Sequence, residues 1–161
     1  MVLVTDANVL IDLCCTGGLH VLPKIGPTEV LDVVLKESID HKPELLKQVN
    51  MEGINVISVE YDWLDEADSL RTEELSLPDS LNLYYARRCK RILLTNDGPL
   101  RIRCEELGVS YHGTLWLMEQ MFEQNLIESH ELCSWFPIFI KYNRRCLPPK
   151  QTEQLKQKIG C

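Results

Sequence analysis

The sequence predicts an α/β fold: a three-layer α/β/α sandwich around a mostly parallel sheet of roughly five strands, followed by a helical C-terminal extension. Three observations carry that prediction. Short apolar runs alternate with helical stretches from residue 1 to about residue 113, and such alternation implies right-handed crossovers with helices on both faces of the sheet. Ile92-Leu93-Leu94 is apolar without a break, as expected of a strand buried on both faces of a parallel sheet. Asp6 and Asp97 each stand where an apolar strand gives way to a turn and a helix.

Residues 1–5 form the first strand, and Asn8 to about Leu13 the helix that follows, closed by Gly17-Gly18. Pro27 bars a helix interior and precedes the second strand, Thr28–Leu31. Asp32 is a suitable N-cap for a helix from Val33 to about Asp40. On that helix Glu37 lies one turn beyond Val33, which places it on the face packed toward the first strand. Ile54–Val59 alternates as a third strand, and Tyr61–Arg71 reads as an acidic helix. Leu77-Pro78-Asp79 opens the next helix, with a proline and an acid suited to the positive end of its dipole. Arg91–Thr95 is the fourth strand, Leu100–Leu107 a helix capped by Gly108, and Val109–His112 the fifth strand. Beyond Thr114 only helices are expected: Leu115 to about Leu126, Ser129–Tyr142 and Thr152–Ile159. Trp116, Trp135, Phe136 and Phe139 either pack this tail onto the sheet or form an exposed docking surface.

A chain of 161 residues with 45% apolar content is long enough for one buried core and short for two ordinary domains. The apolar start is broken by Asp6 and Asp12 without a basic leader, so a signal peptide is not expected. No run reaches the roughly 18–20 apolar residues of a membrane span, and a soluble cytoplasmic protein follows. The seven cysteines form no C-x-x-C pair and have no histidine at zinc-ligand spacing, so reduced thiols are expected, with Cys161 the first to oxidise. Neither His20, His41, His112 nor His130 can be paired with a catalytic thiol from sequence.

Charge divides sharply along the chain. Residues 1–86 carry 5 Lys+Arg against 16 Asp+Glu, and residues 87–161 carry 12 against 8. Arg87, Arg88, Lys90, Arg91, Arg101 and Arg103 cluster around Asp97 in sequence, with Lys141, Arg144, Arg145 and Lys150 following. This is a candidate phosphate-binding rim, the alternative being solvated helix faces.

In an open α/β sheet, functional groups collect beyond the carboxyl ends of the strands, so Asp6 and Asp97 are expected to converge. Clustered carboxylates stay ionised only beside a cation, and Mg²⁺ or Mn²⁺ suits such oxygen ligands. The motifs Asp6-Ala7-Asn8-Val9-Leu10-Ile11, Val33-Val34-Leu35-Lys36-Glu37, Pro78-Asp79-Ser80-Leu81 and Leu94-Thr95-Asn96-Asp97 together resemble the PIN-domain ribonucleases, the superfamily containing the VapC-like toxins. The resemblance runs from Asp6 to about Gly113. It implies a PIN-like, Rossmann-like nuclease domain over residues 1–113, with residues 114–161 as a helical extension packed on the same domain.

The resemblance also implies hydrolysis of RNA phosphodiesters with Mg²⁺ or Mn²⁺. Asp6, Glu37, Asp79 and Asp97 would be the catalytic and metal-binding acids. Asp32 and Asp40 flank Glu37 and are its alternatives. Asn8, Thr95 and Asn96 would hold carboxylates and waters in place, and Arg87, Arg88, Arg101 and Arg103 would bind RNA. Ser80 follows Asp79 and Gly98 follows Asp97, so one ion is expected rather than two. RNA is the implied partner, with an antitoxin protein and a homodimer as further candidates and no membrane. A noncatalytic PIN-like nucleic-acid-binding or assembly module is the rival reading. A haloacid-dehalogenase-like phosphatase would need a second Asp where Asn8 stands.

Overall fold

A computed structural model describes residues 1–142 and 147–161. Arg144, Arg145 and Cys146, noted above for their charge or thiol, lie outside the described residues. The chain runs β1 (Leu3–Thr5), α1 (Ala7–Thr16), a 3₁₀ turn (Leu19–Val21), α2 (Leu22–Ile25), β2 (Thr28–Leu31), α3 (Asp32–His41), α4 (Leu45–Met51), β3 (Asn55–Ile57), α5 (Trp63–Leu70) and α6 (Leu77–Cys89). It continues through β4 (Ile92–Leu94), α7 (Gly98–Leu107), β5 (Tyr111–His112), α8 (Thr114–Glu123), α9 (Ser129–Tyr142) and α10 (Pro149–Ile159).

The five strands form one sheet in the order β3-β2-β1-β4-β5, every neighbouring pair parallel. Thr5 faces Leu94 in register, and the Asp6 N–H donates to the Leu94 carbonyl at 3.0 Å, so the acid-bearing ends of β1 and β4 lie side by side. From β1 the chain crosses to β2 on one side, and after β3 it returns to β4 on the other. The gap beyond β1 and β4 is therefore the switch point of the sheet, where two crossovers leave in opposite directions and open a crevice.

The buried sides of the helices close the two outer layers. Leu3, Val4, Leu93 and Leu94 are fully buried, as a central pair of strands covered on both faces requires. In the tail, Trp135, Phe136 and Phe139 are buried and pack it onto the core, whereas Trp116 stays half-buried. No helix among the described residues is long and apolar enough to cross a membrane.

The structure differs from the sequence reading at two notable places. Residues 45–51 form α4, a short helix whose Leu45 and Val49 are one turn apart and buried. Cys133 and Cys161 form a disulfide, so these two are not the reduced thiols expected. Their spacing of 28 residues carries no sequence signal; the pairing arises because α10 folds back against α9 and brings the Cα atoms to 5.6 Å. Of the remaining described thiols, that of Cys104 is buried and pushed up to about 12 by desolvation, which suits packing and not nucleophilic chemistry.

Candidate acidic site at the switch point

Three of the four sequence-selected acids are helix caps. Asp6, in extended backbone after β1, accepts the Val9 N–H at 2.8 Å and so starts α1. Asp97 does the same after β4, accepting the Leu100 N–H at 3.0 Å to start α7. Asp79 sits in the first turn of α6 and forms a capping box with Ser76: its carboxylate accepts the Ser76 N–H at 3.1 Å, and its own N–H donates to the Ser76 hydroxyl at 3.2 Å. Helix N-termini favour negative charge, so each carboxylate has a local structural reason for its place as well as a possible chemical one.

Asp6 is nevertheless held at a cost. It is 3% exposed, and its carboxyl is pushed up to about 7, chiefly by burial, with further upward pressure from the charges of Asp79 and Asp12. Hydrogen bonds from the Thr95 hydroxyl and the Val9 N–H oppose the rise without cancelling it. Thr95 joins the two strand ends, because its hydroxyl oxygen also accepts the Asp97 N–H at 3.1 Å. Asp6 and Asp97 are thus tied through one buried hydroxyl.

Asp12 is a member of this acidic group that the motifs did not mark. It is 6% exposed, and its Oδ2 lies 3.5 Å from both the Asn96 Nδ2 and the Thr114 hydroxyl. Asn96 in turn donates to the Thr114 hydroxyl at 2.7 Å and accepts the Thr114 N–H at 3.0 Å, so it clamps the start of α8 to the end of β4. The signal was present: Asp12 is the one charge in the apolar run from Ala7 to Cys15, and a charge buried in such a helix needs partners. Asn8 is half-buried in the first turn of α1.

Glu37 differs from these groups in burial. It is exposed, and the buried stripe of α3 runs through Val34, Leu35 and Ser38. Glu37 does lie one turn beyond Val33, but the face they share is only half-buried at Val33 and exposed at Glu37, so it is not the packed face expected. Asp32 is engaged elsewhere, accepting the N–H groups of Val33 at 2.7 Å and Val59 at 3.2 Å, and Asp40 is exposed.

Of the four arginines expected to bind RNA, Arg101 parts from the other three, which gather near Leu70. Arg87 and Arg88 leave the far end of α6, about 12 Å along the helix from Asp79 at 1.5 Å per residue. Arg88 donates to the Tyr84 hydroxyl at 2.8 Å, and both line a cavity of about 610 Å³ with Asp62 and Glu66. Arg103 donates to the Leu70 carbonyl and pairs with Glu106 at 2.8 Å. Only Arg101 is held beside the strand ends: its Nε donates to the Thr95 carbonyl at 2.9 Å, and its guanidinium lies 5.3 Å from the Tyr111 ring centre. A Cβ at Gly113 would collide with the Arg101 Nη2 and the Asn96 Oδ1, so glycine is what admits the guanidinium to this spot.

Metal-free protein should report the strain at Asp6 through pH. An acid whose folded pKa is raised from 3.8 to about 7 keeps its proton when the unfolded chain has lost it, so its contribution to stability falls as pH rises from about 4 to about 7. In chelator, Asp6→Asn is therefore expected to be more stable than the parent at pH 8, by at most about 4 kcal/mol at about 1.4 kcal/mol for each pKa unit. That advantage should shrink toward pH 4. Parallel stability–pH curves for parent and variant would show that Asp6 does not carry this penalty.

The features together define a class: a parallel α/β domain with an acidic centre at its switch point. A sequence model of the PIN domain matches residues 2–159, so this chain belongs to the PIN-domain family. PIN domains form a superfamily of nuclease type that binds nucleic acid and typically depends on divalent metal. The fold is similar to that of PAE2754 from Pyrobaculum aerophilum, at a TM-score of 0.53 and 18% identity, over 68% of this chain and 82% of that one. Among curated proteins, nothing matches.

Proposed function

We propose that the chain is a Mg²⁺- or Mn²⁺-dependent ribonuclease that hydrolyses RNA phosphodiester bonds at the Asp6 site. The observation that carries the reading is the buried Asp6 carboxyl at the switch point, raised by burial and by two neighbouring acids. A native fold that keeps such a group gains from whatever relieves it, and a hard cation does so directly.

The donors fit such an ion. They are carboxylate, hydroxyl and amide oxygens, the set that Mg²⁺ and Mn²⁺ prefer. Among the described residues, no three His, Cys, Asp or Glu side chains form a group able to hold a metal ion. The proposed ion is held by one or two carboxylates and completed by waters and substrate phosphate, the usual habit of Mg²⁺. In this reading Asp6 and Asp97 hold the ion, and Asp79 and Glu37 bear on it through water. When bound, the metal supplies Lewis acidity toward the phosphate and a water acidic enough to attack phosphorus at neutral pH.

The chain's own residues do the rest. Thr95 fixes the Asp6 carboxylate and the turn that carries Asp97, Asn96 holds α8 against the site, and Arg101 offers the phosphate backbone a guanidinium. The products carry 5′-phosphates. A role as the toxin of a toxin–antitoxin pair would add a separate antitoxin chain that covers this crevice, and a homodimer belongs to the same extension of the proposal.

The rival, a noncatalytic binding module, draws on the exposure of Glu37 and the capping roles of the other acids. Thermal unfolding with Mn²⁺ separates the two. A site that binds the ion only when folded gains about 2.7 kcal/mol at one hundred times Kd, so the parent should melt several degrees higher with Mn²⁺ and Asp6→Asn should hardly respond. Equal responses from parent and variant would favour the rival.

A further inference from the structure

Two strands from Asp6, at the end of β5, the His112 ring lies parallel on the Trp116 indole, with centres 4.0 Å apart and planes within 7°. At roughly 5 Å per strand, this pair lies about 10 Å from the acidic site along the same edge of the sheet. It is joined to that site by short links. The Thr95 N–H donates to the His112 carbonyl at 2.9 Å, and Thr114, clamped by Asn96, begins the helix that carries Trp116. Trp116 also forms a wall of a cavity of about 290 Å³ between α8 and α10.

The cavity's chemistry narrows what can enter it. Leu115 and Leu155 add apolar surface, and Gln151 and Gln154 bring amide groups that can both donate and accept. Lys158, at its rim, is engaged by Glu119 at 2.6 Å and Glu123 at 2.5 Å. Its charge is therefore matched twice over, and the cavity offers a phosphate little. A flat aromatic wall beside amide groups instead suits a planar heterocycle with hydrogen-bonding edges.

We infer that Trp116, backed by His112, is a stacking platform that takes one nucleobase of single-stranded RNA near the scissile phosphate, with Gln151 and Gln154 at the base edge. The inference rests on the ribonuclease reading and adds to it a subsite that selects for unpaired RNA. A base in a duplex is already stacked on both faces, so only a splayed single strand can use the platform.

The test uses the full chain in chelator with short 2′-O-methyl RNA, which binds without being cut. Trp63 and Trp135 are 7% and 1% exposed, so quenching of indole fluorescence on titration reports mainly on Trp116. The expected result is quenching by single-stranded RNA and little by the same sequence as duplex. Trp116→Ala should weaken binding about tenfold or more with an unchanged salt dependence, because stacking releases no counterions, and Trp116→Phe should keep most of the affinity. Parent-like affinity in Trp116→Ala, or equal quenching by duplex, overturns the platform while the metal response of the acidic site leaves the ribonuclease reading standing. Absence of RNA binding by the parent overturns the platform, and the ribonuclease reading falls with it only if the parent also fails to cut RNA in Mn²⁺.

Discussion

Asp6→Asn is expected to abolish metal-dependent RNA cleavage, a loss of at least about 10²- to 10³-fold, while the fold stays intact. The magnitude follows from losing several kcal/mol of charge stabilisation by the metal, at about 1.4 kcal/mol for each tenfold in rate. The intact fold follows from local chemistry. Asp6 caps α1 through one carboxylate oxygen bonded to the Val9 N–H, and asparagine caps as well as aspartate does. Removing the charge also removes the burial penalty and the repulsion from Asp79 and Asp12. Steady-state cleavage of a fluorogenic RNA in Mn²⁺, beside urea unfolding of the same samples, checks both halves. A variant that cuts at the parent's rate would take Asp6 out of the mechanism.

The second large effect is on stability and lies away from the acids. Glu29 on β2 is 8% exposed. Its carboxylate receives the Arg91 guanidinium through two bonds, Nε to Oε2 at 3.0 Å and Nη2 to Oε1 at 3.1 Å, and the Tyr85 hydroxyl at 2.8 Å. This fork links β2, the entry to β4 and α6, and Tyr85 carries the contact on to Trp63 of α5, with ring centres 5.5 Å apart. Arg91→Ala leaves a buried carboxylate with one neutral donor. Removing a partner from a fully buried pair costs about 3–5 kcal/mol. The Arg91 side chain is 27% exposed, so we expect about 2–4 kcal/mol, a fall in Tm of roughly 5–15 °C for a chain of this size. Glu29→Leu combined with Arg91→Met should recover most of that loss, since an apolar pair needs no partner. Additive losses in the double variant would show that the fork contributes more than it costs to bury.

Where the sequence could be read, local chemistry and tertiary position agreed. Asp6 and Asp97 were legible because a strand-end acid before a helix is both a cap and a switch-point group, and the parallel pairing of β1 with β4 brings their strand ends together. Thr28–Leu31 was legible because Pro27 and the strand's apolar residues mark it, and the strand has those bounds in the structure. The burial of Glu37 was misread for a geometric reason: the buried stripe runs through Val34 and Ser38, one residue on from Val33 and Glu37, and one residue turns a side chain about 100°. The arginine cluster divided because Arg101 bonds to the carboxyl end of β4, whereas Arg87 and Arg88 close α6 before that strand begins, and Arg103 turns toward Leu70, which lines the same cavity as Arg87 and Arg88. Asp12 and the His112–Trp116 stack depend on contacts made only when α1, β5 and α8 meet, and no periodicity encodes them.

Cleavage of single-stranded RNA by the purified full chain, in Mn²⁺, in Mg²⁺ and in chelator, with the product ends mapped, tests the acidic site most directly. A metal-held site at Asp6 predicts cutting in either ion, none in chelator, and 5′-phosphate ends. Cutting that survives chelator, ends carrying a 2′,3′-cyclic phosphate, or no cutting by the parent in either ion would contradict it.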